Sequence, residues 1–174
     1  MMKSVWILAT CFIAFNVYAA AKPEENPTAP RVPPDKIAAA KAMKSPIPVT
    51  DENIAEGKKM FTGSATCWTC HGKEGKGDGP AGVGTAVGPR NFTDKAFHDA
   101  RTCGELFWVA SNGTKGDFSK ADAPSQPNGS GMVNYLKGHE SELGLRTTPA
   151  VASEEALWKI VMFERSLGGA VDCQ

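Results

Sequence analysis

Five consecutive residues constrain this chain more than anything else in it: Cys67-Trp68-Thr69-Cys70-His71, a C-x-x-C-H motif. On one helical turn the two thiols face the same way. Each sulfur can then add to one vinyl group of a haem while the adjacent imidazole sits under the iron. Other chemistries compete for the pattern. A thioredoxin-like redox pair wants a preceding strand–helix–strand pattern, and none is visible. A zinc knuckle needs a second Cys/His pair at ligand spacing, and Cys103 and Cys173 are far apart with no such partner. A disulfide between Cys67 and Cys70 is disfavoured by the short step. The motif occurs once, so one covalent haem c is expected.

Covalent haem attachment in bacteria takes place outside the cytoplasm, and the N-terminus reads accordingly. Residues 1–21 carry Lys3, an apolar run from Val5 to Tyr18, and small residues at Ala19 to Ala21. That is the layout of a cleaved export signal, which predicts a periplasmic protein. An uncleaved anchor is the rival, but the run is short against the ~20 residues of a span. The chain has 19 basic and 19 acidic residues; removing the signal takes Lys3 and no acid. A surface so close to neutral argues against a nucleic-acid partner and gives no long-range steering. Hydrophobic residues at 41% and charged residues at 22% fit an ordinary globular domain, while 18 Gly and 12 Pro predict much loop. Residues 22–50 read as a Pro-rich, mostly solvated tether. Asp35 to Lys44 within it can form a short helix, whose apolar Ile37, Ala40 and Met43 would have to dock for it to persist.

Flanking segments supply the rest of the pattern. Ile54 to Phe61 predicts a helix capped by Thr50 or Asp51, with Gly57 and Phe61 on one face. Cys103 to Ser111 predicts another, ended by Asn112-Gly113. Ser153 caps a last helix running to Leu167, with Leu157, Ile160, Val161 and Phe163 as a wide apolar stripe and Gly168-Gly169 as its stop. Over roughly residues 51–170 the sequence resembles the class I c-type cytochromes: Gly57-x-x-x-Phe61, C-x-x-C-H, the Gly79-Pro80 step, and a C-terminal helix with Phe163. The resemblance implies an all-α fold, a small cytochrome c-like haem domain of several short helices with long loops, occupying 51–174 here. It implies that the terminal helices cross, Gly57 and Phe61 meeting Ile160 and Phe163. It implies thioether bonds at Cys67 and Cys70, His71 as proximal iron ligand, and the Pro80 carbonyl accepting the Nδ1–H of His71. Met132, preceded by Gly131 in a loop after Asn112-Gly113, fits the place of the distal ligand. The loops 114–131 and 136–152 are longer than the family's usual, and Val133 stands where the family very often has Pro.

The remaining candidates are blander. Gly77-x-Gly79-x-x-Gly82 is formally a dinucleotide fingerprint, but no apolar strand precedes it and Pro80 interrupts it, so no nucleotide site is expected. Met60 and Met162 read as core, and Met43 lies outside the domain. His98, read as a surface residue, and His139 are the bis-imidazole alternatives to Met132, with Lys137 weaker still. Cys103 and Cys173 are an even remainder that suggests a disulfide; two free thiols, or Cys103 as an iron ligand, are the alternatives. Arg90 is a candidate partner for a haem propionate, a solvated arginine being the alternative. Trp68 is a candidate edge for partner docking. Leu106, Phe107, Trp108 and Val109 should line the pocket or pack behind it. No acid–base or nucleophile constellation lies beside the motif, so the expected function is outer-sphere electron transfer between periplasmic redox proteins through a transient interface, not enzyme catalysis. The alternatives are a haem subunit of a larger periplasmic oxidoreductase, or a catalytic or gas-binding haem with an open or Cys-ligated iron.

Overall fold

A computed structural model describes residues 28–84, 88–114, 132, 134–136, 139–140, 146–148, 153–169 and 171–174. The expected signal, the start of the expected tether, and most of the 114–131 and 136–152 loops lie outside these residues. The described part is helical, as expected: α1 (Ile37–Ala42), α2 (Asp51–Thr62), α3 (Trp68–His71), α4 (Lys95–Ala100), α5 (Cys103–Asn112) and α6 (Glu154–Leu167). A 3-10 turn spans Pro80–Gly84. The only sheet among the described residues is an antiparallel ribbon of β1 (His139–Glu140) and β2 (Arg146–Thr148).

The two long helices start where capping chemistry says they should. Thr50 is extended, and its Oγ1 accepts the Asn53 N–H at 3.2 Å, with Asp51 and Glu52 in the first turn of α2. Ser153 does the same for Ala156 at 3.1 Å, with Glu154 and Glu155 following. In each case a side-chain oxygen satisfies an orphan donor and the acids suit the positive end of the dipole. These helices cross at Gly57. A Cβ there would overlap the Lys159 carbonyl and touch the Ile160 nitrogen, so the two backbones are in direct contact. Phe61, fully buried, meets Phe163 edge-on with ring centroids 5.1 Å apart. At the rim Lys159 bridges to Glu56 at 2.7 Å. This is the crossing that the resemblance to the class I c-type cytochromes implied.

Helix α5 packs on the other side of α6. Thr102 and Glu105 form a reciprocal capping box at its start, and Gly113 ends it at a φ of 70°. Phe107 stacks on Trp158 at 4.1 Å, nearly parallel.

Of the segment read as a tether, the described residues are mostly exposed or half-buried, and its short helix docks, as it would have to in order to persist. From Thr28 to Thr50 the segment lies on the domain. Val32 and Ala40 are buried, and α1 rests on α5 at Gly104, where a Cβ would run into the Ala40 and Met43 carbonyls. Beyond α1, Ser45 N–H donates to the Cys173 carbonyl at 2.8 Å and Gln174 Nε2 donates to the Ile47 carbonyl at 3.0 Å. Cys173 is disulfide-bonded to Cys103. The C-terminal tail thus pins the arm to the start of α5. A short helix that could not persist alone is held by a flat seat and a covalent staple.

Candidate functional site

Helix α3 is a single turn. The N–H groups of Cys70 and His71 both donate to the Cys67 carbonyl, at 3.2 and 3.0 Å. The chain then doubles back: Gly77 N–H bonds the His71 carbonyl at 2.8 Å and Gly79 N–H bonds the Cys70 carbonyl at 3.0 Å. Gly77 takes a φ of +79°, and a Cβ there would also meet the Pro89 carbonyl, so both backbone conformation and space require glycine. A further bond, Phe92 N–H to Gly75 carbonyl at 2.7 Å, lays the 88–92 segment beside α3. Phe92 then stacks on the His71 ring at 4.5 Å.

This segment, not the Gly79-Pro80 step, orients the imidazole. His71 Nδ1 lies 3.0 Å from the Arg90 carbonyl, whereas Pro80 is exposed at the head of the 3-10 turn. The expected Pro80 carbonyl partner is therefore corrected to Arg90. The physical reason is the doubled-back glycine loop, which directs Gly79 onto the Cys70 carbonyl and threads Arg90 past the ring. A carbonyl can only accept, so Nδ1 carries the proton and the lone pair is on Nε2. Burial pushes the His71 pKa down to about 4, opposed by the Arg90 carbonyl and assisted by the charges of Arg31 and Arg90. The ring is a neutral imidazole, the form that ligates a metal. Such an outer bond also fixes the ring and raises its basicity as a ligand.

One cavity brings Cys67, Cys70, His71 and Met132 together. Met132 is placed by main-chain bonds to the end of α5: Thr114 N–H donates to the Met132 carbonyl at 3.0 Å, and Tyr135 N–H to the Ala110 carbonyl at 3.1 Å. Leu106, Val109 and Ala110 of α5 and the rings of Phe92 and Phe97 make apolar walls. Three guanidinium-bearing residues, Arg31, Arg90 and Arg101, also line it. Arg90 is buried, donates to the Ala29 carbonyl, and lies 5.1 Å over the Phe97 ring. Arg101 bonds Glu105 at 2.6 Å and donates to the Thr28 carbonyl at 2.5 Å. Its Nε, and the Thr114 hydroxyl, are buried with no hydrogen-bond partner among the described residues.

These residues fit a covalent haem. The two cysteines are free thiols, His71 Nε2 makes no hydrogen bond among the described residues, and a thioether lines the same cavity. The orphaned Arg101 Nε and Thr114 hydroxyl are unmet polar capacity of the kind that propionate oxygens satisfy.

Other expectations fare variously. His98 is not a surface residue: it is buried, with Nε2 2.6 Å from the Phe92 carbonyl and Nδ1 3.2 Å from Arg165 Nη1. Both nitrogens are engaged and it does not line the cavity, so it offers no ligand. Cys103 is likewise excluded by its disulfide. Met162 is fully buried core and Met60 is half-buried against it, while Met43 packs from the arm. Trp68 is half-buried, with the Lys73 ammonium 5.5 Å over its ring. The side chains of His139 and Lys137 lie outside the description. Sequence reasoning missed Arg31, Arg101, Tyr135 and Glu164 in the cavity wall. One of them left a signal: Glu164 sits seven residues after Leu157, on the apolar stripe of α6.

Comparison with known proteins adds an independent line. A sequence model of the family described as cytochrome c matches residues 54–140, half of the chain. No curated protein matches it. Among solved structures, the chain is similar to one from the Kuenenia stuttgartiensis reducing HAO-like protein complex Kustc0457/Kustc0458, at 22% identity and a TM-score of 0.45. The match covers 71% of this chain and 47% of that one, so this chain spans about half its length.

Proposed function

Because the chain belongs to the cytochrome c family, and is thereby a covalent-haem electron-transfer protein, we propose that it is a monohaem periplasmic electron carrier. Residues 1–21 direct its export. Cys67 and Cys70 would hold the haem by thioether bonds, and His71 and Met132 would supply the protein ligands to its iron. Arg90, joined by Arg31 and Arg101, serves the propionates. Partners are other redox proteins, met through a transient interface.

The observation that carries this reading is the convergence of a Nδ1-protonated, neutral His71, two free thiols and a loop thioether on one cavity. When bound, the haem supplies an iron that takes up and gives back one electron. The chain does the rest. The Arg90 carbonyl and the Phe92 ring lock the imidazole plane, so little rearrangement accompanies a change of iron charge. A thioether from Met132 is a soft ligand that favours ferrous iron and raises the potential. The walls from α5, Phe92 and Phe97 exclude water, while guanidinium groups offset the propionate charge.

The test is the mass and the alkaline pyridine spectrum of protein exported from a host with c-type maturation. One covalent haem is expected, lost in the Cys67→Ser/Cys70→Ser pair. No haem, or more than one, contradicts the reading.

A further inference from the structure

The reading above leaves Glu164 without a role. The residue is 4% exposed, it lines the cavity, and it makes no hydrogen bond or ion pair among the described residues. Among the described residues no cation pairs with it, although Arg31, Arg90 and Arg101 line the same cavity. Arg165, the next residue, turns away to the His98 and Arg101 carbonyls at 2.8 and 2.9 Å. Arg101 of the α4–α5 link is bound to Glu105 of α5. Arg31 of the arm and Arg90 of the 88–92 segment exert their charge on His71. The groups that feel Glu164 are Cys67 of the motif and Tyr135 of the Met132 loop, both held un-ionised by burial first of all. Cys70, which also faces them, is like Cys67 a thioether sulfur once haem is attached and carries no titrating proton.

A solitary carboxyl in such a wall is costly as an anion. Burial alone raises its pKa to about 8. The charge that an electron changes in such a haem-bearing cavity is the iron's, which falls by one on reduction and rises by one on oxidation. At low effective dielectric that change acts strongly on a buried carboxylate. By linkage, a group whose proton affinity differs between two states makes the equilibrium between them depend on pH.

We propose that Glu164 is a redox-linked proton site, so that the protein carries a proton with its electron. On reduction, an electron arrives from the donor protein and the Glu164 carboxylate takes one proton from solvent, forming the O–H bond of the carboxylic acid. On oxidation the electron leaves to the acceptor and that O–H bond gives its proton back to water. The inference rests on the reading that haem occupies this cavity.

The experiment is a spectroelectrochemical titration of the holoprotein, wild type and Glu164→Gln, over about two pH units on either side of 8. In wild type the reduction equilibrium constant should fall as pH rises, approaching tenfold per pH unit at the steepest part, and in the variant it should be flat there. Redox-difference infrared spectra should gain a carboxylic-acid C=O band on reduction that moves in deuterated water and is missing from Glu164→Gln. A flat wild-type profile overturns the proposal, as does a slope that survives in Glu164→Gln or an infrared difference without the carboxylic band. Should that variant fail to fold, Glu164→Asp keeps a carboxyl but moves it, so the carboxylic band must shift in frequency; an unmoved band overturns the proposal. Failure of the underlying reading looks different, since the exported protein would then lack a covalent haem spectrum altogether.

Discussion

Removing the Cys103–Cys173 disulfide should weaken the fold by about 4 kcal/mol without touching the haem site. The two cysteines are 70 residues apart in sequence. For a closed loop of that length the chain-entropy relation gives about 4.4 kcal/mol at 25 °C, held in the denatured state as lost freedom. The native state also loses its clamp, because the Cys173 carbonyl accepts from Ser45 and the arm is stapled there. With a urea slope of about 2 kcal/mol/M for a domain of this size, the midpoint of a Cys103→Ser/Cys173→Ser variant should drop by about 2 M. The assay is equilibrium urea unfolding followed by far-ultraviolet circular dichroism, with the haem absorption spectrum recorded on the native protein. That spectrum should be unchanged, since neither cysteine lines the cavity. A midpoint shift under about 0.5 M would refute the loop-closure reasoning, and a changed iron spectrum would refute the separation of staple from site.

Gly57→Ala should destabilise by about 2–3 kcal/mol, the overlap with the Lys159 carbonyl outweighing the roughly 1 kcal/mol that alanine gains in a helix. A thermal melt reads this, and a stabilised variant would show that the helices can part without cost. His98→Ala should cost about 2–3 kcal/mol, because the Phe92 carbonyl and Arg165 lose their buried partner. The same variant tests a pH effect. Burial holds the His98 pKa below its usual value, opposed by the Phe92 carbonyl and assisted by Arg165. The unfolded chain therefore gains a proton first as pH falls below about 6.5, and stability declines in acid. Urea midpoints at about pH 5 and about pH 7.5 should differ less in His98→Ala than in wild type, and an equal difference would sink the assignment.

The two terminal helices and their buried faces were legible because their determinants are local, while their crossing came from the family resemblance and not from spacing. Gly57, Phe61 and the apolar stripe of α6 each sit at helical spacing, and caps at Thr50 and Ser153 mark the starts. C-x-x-C-H was legible because haem chemistry fixes that spacing. What the sequence hid depends on distant partners. The 28–50 arm reads as solvated because its composition is Pro-rich and its buried residues, Val32 and Ala40, are small; the seat at Gly104 and the Cys173 staple that hold it lie far along the chain. His98 looks polar and local, yet its partners are a carbonyl across a turn and an arginine 67 residues on. The carbonyl that orients His71 is Arg90 rather than Pro80 because both lie in one glycine-rich loop, and spacing does not say which carbonyl the loop presents to the ring. Glu164 was visible in principle, as the polar residue on an otherwise apolar face.

The central claim is that His71 and Met132 ligate one iron. Near-infrared magnetic circular dichroism of the oxidised, exported protein tests it most directly, with Met132→Ala alongside. The account predicts a methionine-to-iron charge-transfer band in wild type and its loss in the variant. A wild-type spectrum without that band, whether of bis-imidazole or high-spin form, would contradict it.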